Sequence, residues 1–151
     1  MPHRLATLMV SPSEWAARQG SAPAADLFGT LLDRFMDVVG PAASEATFHY
    51  ASVQEGLRIG AGHGPNELAT ALARVDGVLG HRSRLLEESR GTVRISVAGS
   101  DMLASTSPVR HAVVRGMLEG MLRAVRGVPY VGRVMPGHVP GESILEFVLV
   151  A

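Results

Sequence analysis

Along the first half of the chain, apolar residues recur three and four positions apart, the spacing of one helix face. From Ala24 to Val39 that face holds Leu27, Phe28, Leu31, Leu32, Phe35, Val38 and Val39, with Asp26, Asp33, Arg34 and Asp37 on the other side. Gly40-Pro41 stops the helix. A second helix is expected to start near Ser44 and to carry Ala46, His49, Tyr50, Val53 and Leu57 on an irregular stripe to about Ile59, where "GAGHGP" (60–65) ends it. Asn66 is the expected N-cap of a third, "ELATALARVDGVLG", whose Leu68, Leu72, Val75 and Leu79 form a narrow apolar face. Upstream, "RLATLMV" (4–10) reads as an extended or irregular arm. Ser11, Pro12 and Glu14 then open a brief helix that carries Trp15.

After Gly80 the period changes. "SRLLEESRGTVRISVAG" alternates around a polar turn at Glu88 to Gly91, and Val93, Ile95 and Val97 fall on one face of a strand, so a hairpin is predicted. Glu87 and Glu88, adjacent on a strand, point to opposite faces and make no acid–base pair. Ser107 and Pro108 begin a long helix that lasts until Gly127. "VPYVGRVMPG" and "SILEFVLVA" form two further strands joined by the Gly/Pro-rich "GHVPGE". The predicted class is α+β: three to four N-terminal helices, a β-hairpin, a long helix and a second hairpin, giving a four-stranded antiparallel sheet packed on helices.

The long helix raises a question of its own. In "VRHAVVRGMLEGMLRAVRG", Val109, Ala112, Val113, Gly116, Met117, Gly120, Met121 and Ala124 share one face. An interior helical glycine costs about 1 kcal/mol relative to alanine. Gly116 and Gly120 therefore point to close approach of another backbone, either the sheet beneath or a symmetry-related helix. Arg115, Glu119, Arg123 and Arg126 make a charged stripe suited to solvent or a partner's rim.

Composition narrows the chemistry. At 151 residues with 46% hydrophobic content the chain suits one well-buried core, and residues 1–151 are expected to form a single domain, with 1–23 as its arm and short helix. Fourteen basic residues, all arginine, balance fourteen acidic ones, which leaves no global field for nucleic acid or an anionic membrane. There is no cysteine, hence no disulfide, thiolate metal site or thiol nucleophile. No secretory h-region and no run near the roughly 18 apolar residues of a membrane span occurs, so a cytoplasmic location is expected.

Catalytic and metal motifs are missing. There is no H-x-x-x-H, H-E-x-x-H or D-x-D, and "GAGHG" lacks the Lys-Ser/Thr of a phosphate loop and follows a helix rather than a strand. No G-x-S-x-G elbow accompanies the serines of "VAGSDMLASTSP". His63 and His138 sit in Gly/Pro-rich loops and are expected to be exposed. His111, in the first turn of the long helix, reads as a packed or capping residue before it reads as a metal or tetrapyrrole ligand. Met36, Met102, Met117, Met121 and Met135 fall in the parts that surround a central cavity, where methionine fills irregular gaps and adapts to apolar ligands.

"SPVRHAVVRGMLEGMLRAVRG", then "VPYVGRV", then "GESILEFVLV" resemble the C-terminal half of V4R domains, the 4-vinyl-reductase-like family of hydrocarbon-binding proteins. "LLDRFMDVVGPAASEATFHYASVQEGLRIG" is similar to that family's two leading helices, the second with a glycine near its end, here Gly56 or Gly60. The resemblance runs from about residue 24 to 150 and implies the fold shared with Bet3-like trafficking proteins. Where the family often has cysteines, this chain has Arg110 before His111, and Leu145 and Gly137 in its last hairpin. A thiolate metal cluster is thus not implied.

The expected function is small-molecule binding for sensing or carriage: an apolar, aromatic or tetrapyrrole-like ligand in a cavity between helices and sheet, lined by Phe35, Phe48, His49, Met117, Met121 and Tyr130. His49 and Tyr130 would supply orienting hydrogen bonds. Gly116 and Gly120 would serve close packing or a homodimer contact. The alternative is a dimeric structural or adaptor subunit without a physiological ligand. An enzyme ranks third, since no catalytic set can be assembled and fold alone does not carry function.

Overall fold

Three helices lead the computed structural model, which describes residues 24–136 and 139–151. They are α1 (Ala24–Val39), α2 (Pro41–Gly60) and α3 (Leu68–Leu79), the last entered through a 3-10 turn at Pro65–Glu67. Strands β1 (Arg82–Ser89) and β2 (Thr92–Ala98) follow, then a single turn of helix, α4 (Asp101–Ala104), the long α5 (Pro108–Arg126), and strands β3 (Tyr130–Met135) and β4 (Glu142–Leu149). The molecule is α+β, with helices packed on a four-stranded antiparallel sheet. The arm at 4–10, the short helix expected around Trp15, and the loop positions Gly137 and His138 lie outside the described residues.

Local chemistry explains where boundaries differ from expectation. α2 begins at Pro41, three residues before Ser44, because Gly40 turns the chain at φ 99° and proline at the first helical position is already preset for the helix. Asn66 sits inside the 3-10 turn, and it is Glu67 that reaches back, accepting the Gly64 N–H at 2.6 Å. α4 is too short to leave a periodic signal. Its cap is Ser100, whose hydroxyl accepts the Leu103 N–H at 3.2 Å.

The strand order is β1-β2-β4-β3, so α5 carries the chain from β2 to the far edge before β4 returns to the centre. Val93, Ile95, Val97, Leu145 and Phe147 are all buried and form the floor beneath α5. On the other face the two central strands are zipped by charge. Glu146 accepts from Arg94 at 2.8 Å and from Arg133 at 2.5 Å, while Arg94 also reaches Glu87 at 3.0 Å. The Arg133 and Arg94 guanidiniums hold the Glu146 carboxyl below the usual carboxylate range. Glu88, on the opposite side of β1 from Glu87, pairs instead with Arg126 of α5 at 2.6 Å.

α5 is buried on more than one side, from Val109 to Val125. One flank meets the sheet and the other meets α2. None of the described helices is long and apolar enough to cross a membrane.

Candidate functional site

The glycines of α5 face α2 of the same chain. A Cβ on Gly120 would run into the Val53 carbonyl oxygen and lie 2.8 Å from the Leu57 nitrogen. One on Gly116 would lie 2.7 Å from the His49 carbonyl oxygen. α2 answers with its own pair: a Cβ on Gly56 would strike the Met117 carbonyl, and one on Gly60 would lie 2.8 Å from the Met121 carbonyl oxygen. The backbone expected opposite these glycines is therefore neither the sheet nor a second copy. The α2 stripe is likewise corrected: its buried positions are Ser44, Ser52, Gly56, Ile59 and Gly60, whereas Ala46 and Tyr50 are exposed. Small residues at intervals of four let two helix backbones touch.

Beside this seam the helices part and leave a cavity of about 490 Å³. α2 contributes Phe48, Ala51, Ser52 and Glu55; α5 contributes Val113 and Met117; Phe28, Met102, Val78 and Leu79 come from α1, α4 and the end of α3. The deep side is apolar: Met102, Val113, Met117 and Leu79 are buried, and Phe28, Ala51 and Val78 form an exposed rim. No strand residue is among the described lining, so the cavity lies among the helices and not, as expected, between helices and sheet. Phe35 stands behind Phe48, edge to face at 5.1 Å and 89°. Ser52 is the uncharged polar side chain among the described lining residues. Glu55 is the charged one, and Arg58 grips it through two hydrogen bonds of 2.9 and 2.5 Å, which lowers its carboxyl pKa.

A second, polar pocket of about 270 Å³ opens where α2 and α5 face β3. Glu119 is its base. Expected on a stripe facing solvent or a partner's rim, Glu119 is 6% exposed, because β3 covers that side of α5. It survives burial by being fully bonded: one carboxylate oxygen accepts the Gly132 N–H at 2.8 Å, the other accepts from His49 Nε2 at 2.6 Å. A carboxylate oxygen can only accept, so the His49 proton sits on Nε2. His49, Tyr50, Val53, Gln54, Arg123, Pro129 and Tyr130 complete the walls.

Among the described residues, the other histidines are held by protein groups or simply enclosed. His111 Nε2 donates to the Ser105 carbonyl at 2.5 Å, a packing role. His63 is half-buried, not exposed. His81 is buried at the α3–β1 junction; its Nε2 is 3.1 Å from Asp76 but out of line for a hydrogen bond, and Nδ1 has no partner. Burial lowers its pKa, against the opposing pull of Asp76. Among the described residues no three His, Asp or Glu side chains converge as metal ligands.

No protein-family model and no curated protein matches this sequence. Among solved structures, the crystal structure of the phenol-responsive sensory domain of the transcription activator PoxR with phenol is similar over 83% of this chain and 75% of that one, with a TM-score of 0.59 and 18% sequence identity. The chain is similar in fold to a sensory domain. At that identity the likeness is one of backbone course and element order.

The six residues expected around a single ligand are thus divided. Phe48 and Met117 line the apolar cavity, with Phe35 supporting Phe48 from outside it. His49 and Tyr130 line the polar pocket. Met121 is fully buried in the core and lines neither. Of the other methionines, Met102 lines the cavity, Met36 packs against the core, and Met135 lies at the end of β3. Sequence reasoning missed Phe28, Ser52, Val78 and Leu79. Leu79 and Phe28 carried a signal as members of apolar stripes, but periodicity says nothing of which stripe residues face a void.

Proposed function

We propose that this chain is a small-molecule-binding sensory module of the V4R type, acting in the cytoplasm as one domain, and that its helical cavity takes a single neutral apolar or aromatic guest. The observation that carries the reading is the cavity itself. Its volume lies within the roughly 300–1,000 Å³ typical of ligand sites, and its walls pair aromatic and methionine surface with one hydroxyl. Methionine walls adapt to guests of varied shape, and Ser52 offers one hydrogen bond to a guest that carries a polar atom. No histidine is among the described lining residues, so an iron tetrapyrrole would find no axial imidazole among them. The likeness in fold to a phenol-responsive domain supports the same reading.

Toluene and phenol serve as probes in ligand-observed NMR. Saturable binding by the wild type, abolished by Ala51→Trp at the exposed rim, is the expected result. Failure of both probes to saturate, or binding indifferent to Ala51→Trp, would sink the proposal.

A dimeric adaptor is the second reading, favoured by one observation. α1 leaves Leu31 57% and Val38 86% exposed, beside partly exposed Leu27, Phe28, Phe35 and Val39. Native mass spectrometry separates the two: a guest-bound species supports the sensor, and a dimer without added mass supports the adaptor.

A further inference from the structure

We infer that the polar pocket is a second ligand site, distinct from the apolar cavity, and that it takes a small organic carboxylate. Among the described residues the two sites share none of their lining, although both draw on α2 and α5. Successive α2 residues are sorted between them: Phe48, Ser52 and Glu55 face the cavity, His49 and Val53 the pocket.

Three features select an anion with a flat or apolar body. First, Arg123 is an exposed wall residue whose guanidinium has no ion-pair or hydrogen-bond partner among the described residues, so its fork is available. Guanidinium matches a carboxylate through two parallel N–H bonds. Second, His49 is held in place. Its Nε2 is committed to Glu119, and its Cδ2 would lie 3.2 Å from a Cβ on Gly116, so that edge packs on α5. With its side chain 32% exposed, the ring is a fixed flat wall for the body of the guest. Third, the pocket's own carboxylate has a counter-charge. Both Glu119 oxygens are engaged, one by His49 and one by the Gly132 N–H, and the Arg115 guanidinium, 3.6 Å from the latter oxygen, offsets its negative charge. Val53, Pro129 and Tyr130 then offer apolar surface for the body of the guest. A volume of about 270 Å³, just under the usual range for drug-sized ligands, suits a one-ring acid.

Benzoate is the probe, followed by amide NMR shifts in low-chloride buffer. Saturable shifts centred on His49, Arg123 and Tyr130 are expected, weakened at least about tenfold by Arg123→Met, since a hydrogen bond to a charged group is worth that much. Arg123 is exposed, so this variant keeps its fold. Ala51→Trp, which blocks the other site, is expected to leave benzoate binding unchanged, and the outcome is independent of whether toluene or phenol binds. Absence of saturation, shifts centred on Phe48 and Met117, or equal binding of inorganic phosphate would each overturn the assignment.

Discussion

The seam between α2 and α5 and the cavity beside it are made from the same two helices, yet one leaves no room for a methyl group and the other holds about 490 Å³. The difference is one of side-chain size along neighbouring rows. Ser52, Gly56 and Gly60 on α2 and Ala112, Gly116, Gly120 and Ala124 on α5 are rows of small residues four apart, and there the backbones close. Val113 and Met117 on α5 occupy the adjacent row, and Phe48 stands one turn before Ser52 on the α2 row; there bulky side chains meet α1, α3 and α4 at longer range. Backbone-to-backbone contact has no rotamers to adjust, so the seam fixes the relative position of the two helices. Methionine and the outer helices are the adjustable walls. A rigid spine with a compliant side is what a cavity needs if it is to admit a guest without unfolding its scaffold.

The seam breaks most severely at its tightest point. Gly120→Ala places a Cβ against the Val53 carbonyl, and no side chain can swing aside, so the helices must separate. Overpacking costs about 1–3 kcal/mol and more where backbone must move, while alanine returns only about 1 kcal/mol of helix propensity. Denaturant unfolding of Gly120→Ala is expected to show a loss of about 3 kcal/mol. A loss below about 1 kcal/mol would mean that α2 and α5 slide apart cheaply and that the spine is not rigid.

How far the sequence foretold this depends on the kind of signal each residue carried. The alternation of Val93, Ile95 and Val97 located the sheet floor, because a strand's two faces differ simply by parity. Gly116 and Gly120 announced a close backbone neighbour, but the partner had to be found in three dimensions. Gly56 and Gly60, at the same four-residue spacing, were the clue that would have named α2. Glu119 lies among arginines on a stripe whose pattern suits solvent or a partner's rim. What buried it was β3, whose Gly132 N–H supplies a bond that no helical pattern records. His49 and Phe48 are neighbours in sequence, which suggests one site; a rotation of about 100° per residue along a helix puts them on different sides of the seam.

The compliant side has a weak point of its own, which acid should find first. His81 follows the Gly80 cap of α3, next to the cavity residues Val78 and Leu79, and is buried with its folded pKa below the ordinary 6.5. As pH falls below about 6.5, the unfolded chain takes up a proton that the folded state refuses, so stability declines until the lowered folded value is reached. Above that window the term is fully stabilising. Glu146 also has a depressed pKa, but its contribution is lost only below its ordinary 4.5, in a separate window. From about pH 8 to pH 5, protection factors, which divide out the intrinsic pH dependence of amide exchange, are expected to fall in α3 and β1 while those of α5 hold. His81→Leu should flatten that dependence. An equal fall across α3 and α5 would show the two sides to be one cooperative unit, and the contrast between spine and wall would dissolve.

The gentlest test uses a glycine with no neighbour. Gly77 lies inside α3 on its exposed side, and a Cβ there would meet nothing within 4 Å. The same substitution that is expected to wreck the seam at Gly120 should here stabilise, by about 0.5–1 kcal/mol, since alanine restricts the unfolded chain and favours the helix. Paired denaturant curves for Gly77→Ala and Gly120→Ala thus weigh one added methyl group in two helices of one fold. Opposite signs are the outcome expected if space, and not helix propensity, selected glycine at the seam. If Gly77→Ala also destabilises, the wall formed by α3 is under a constraint that its open surroundings do not reveal, and the compliance assigned to that side is wrong.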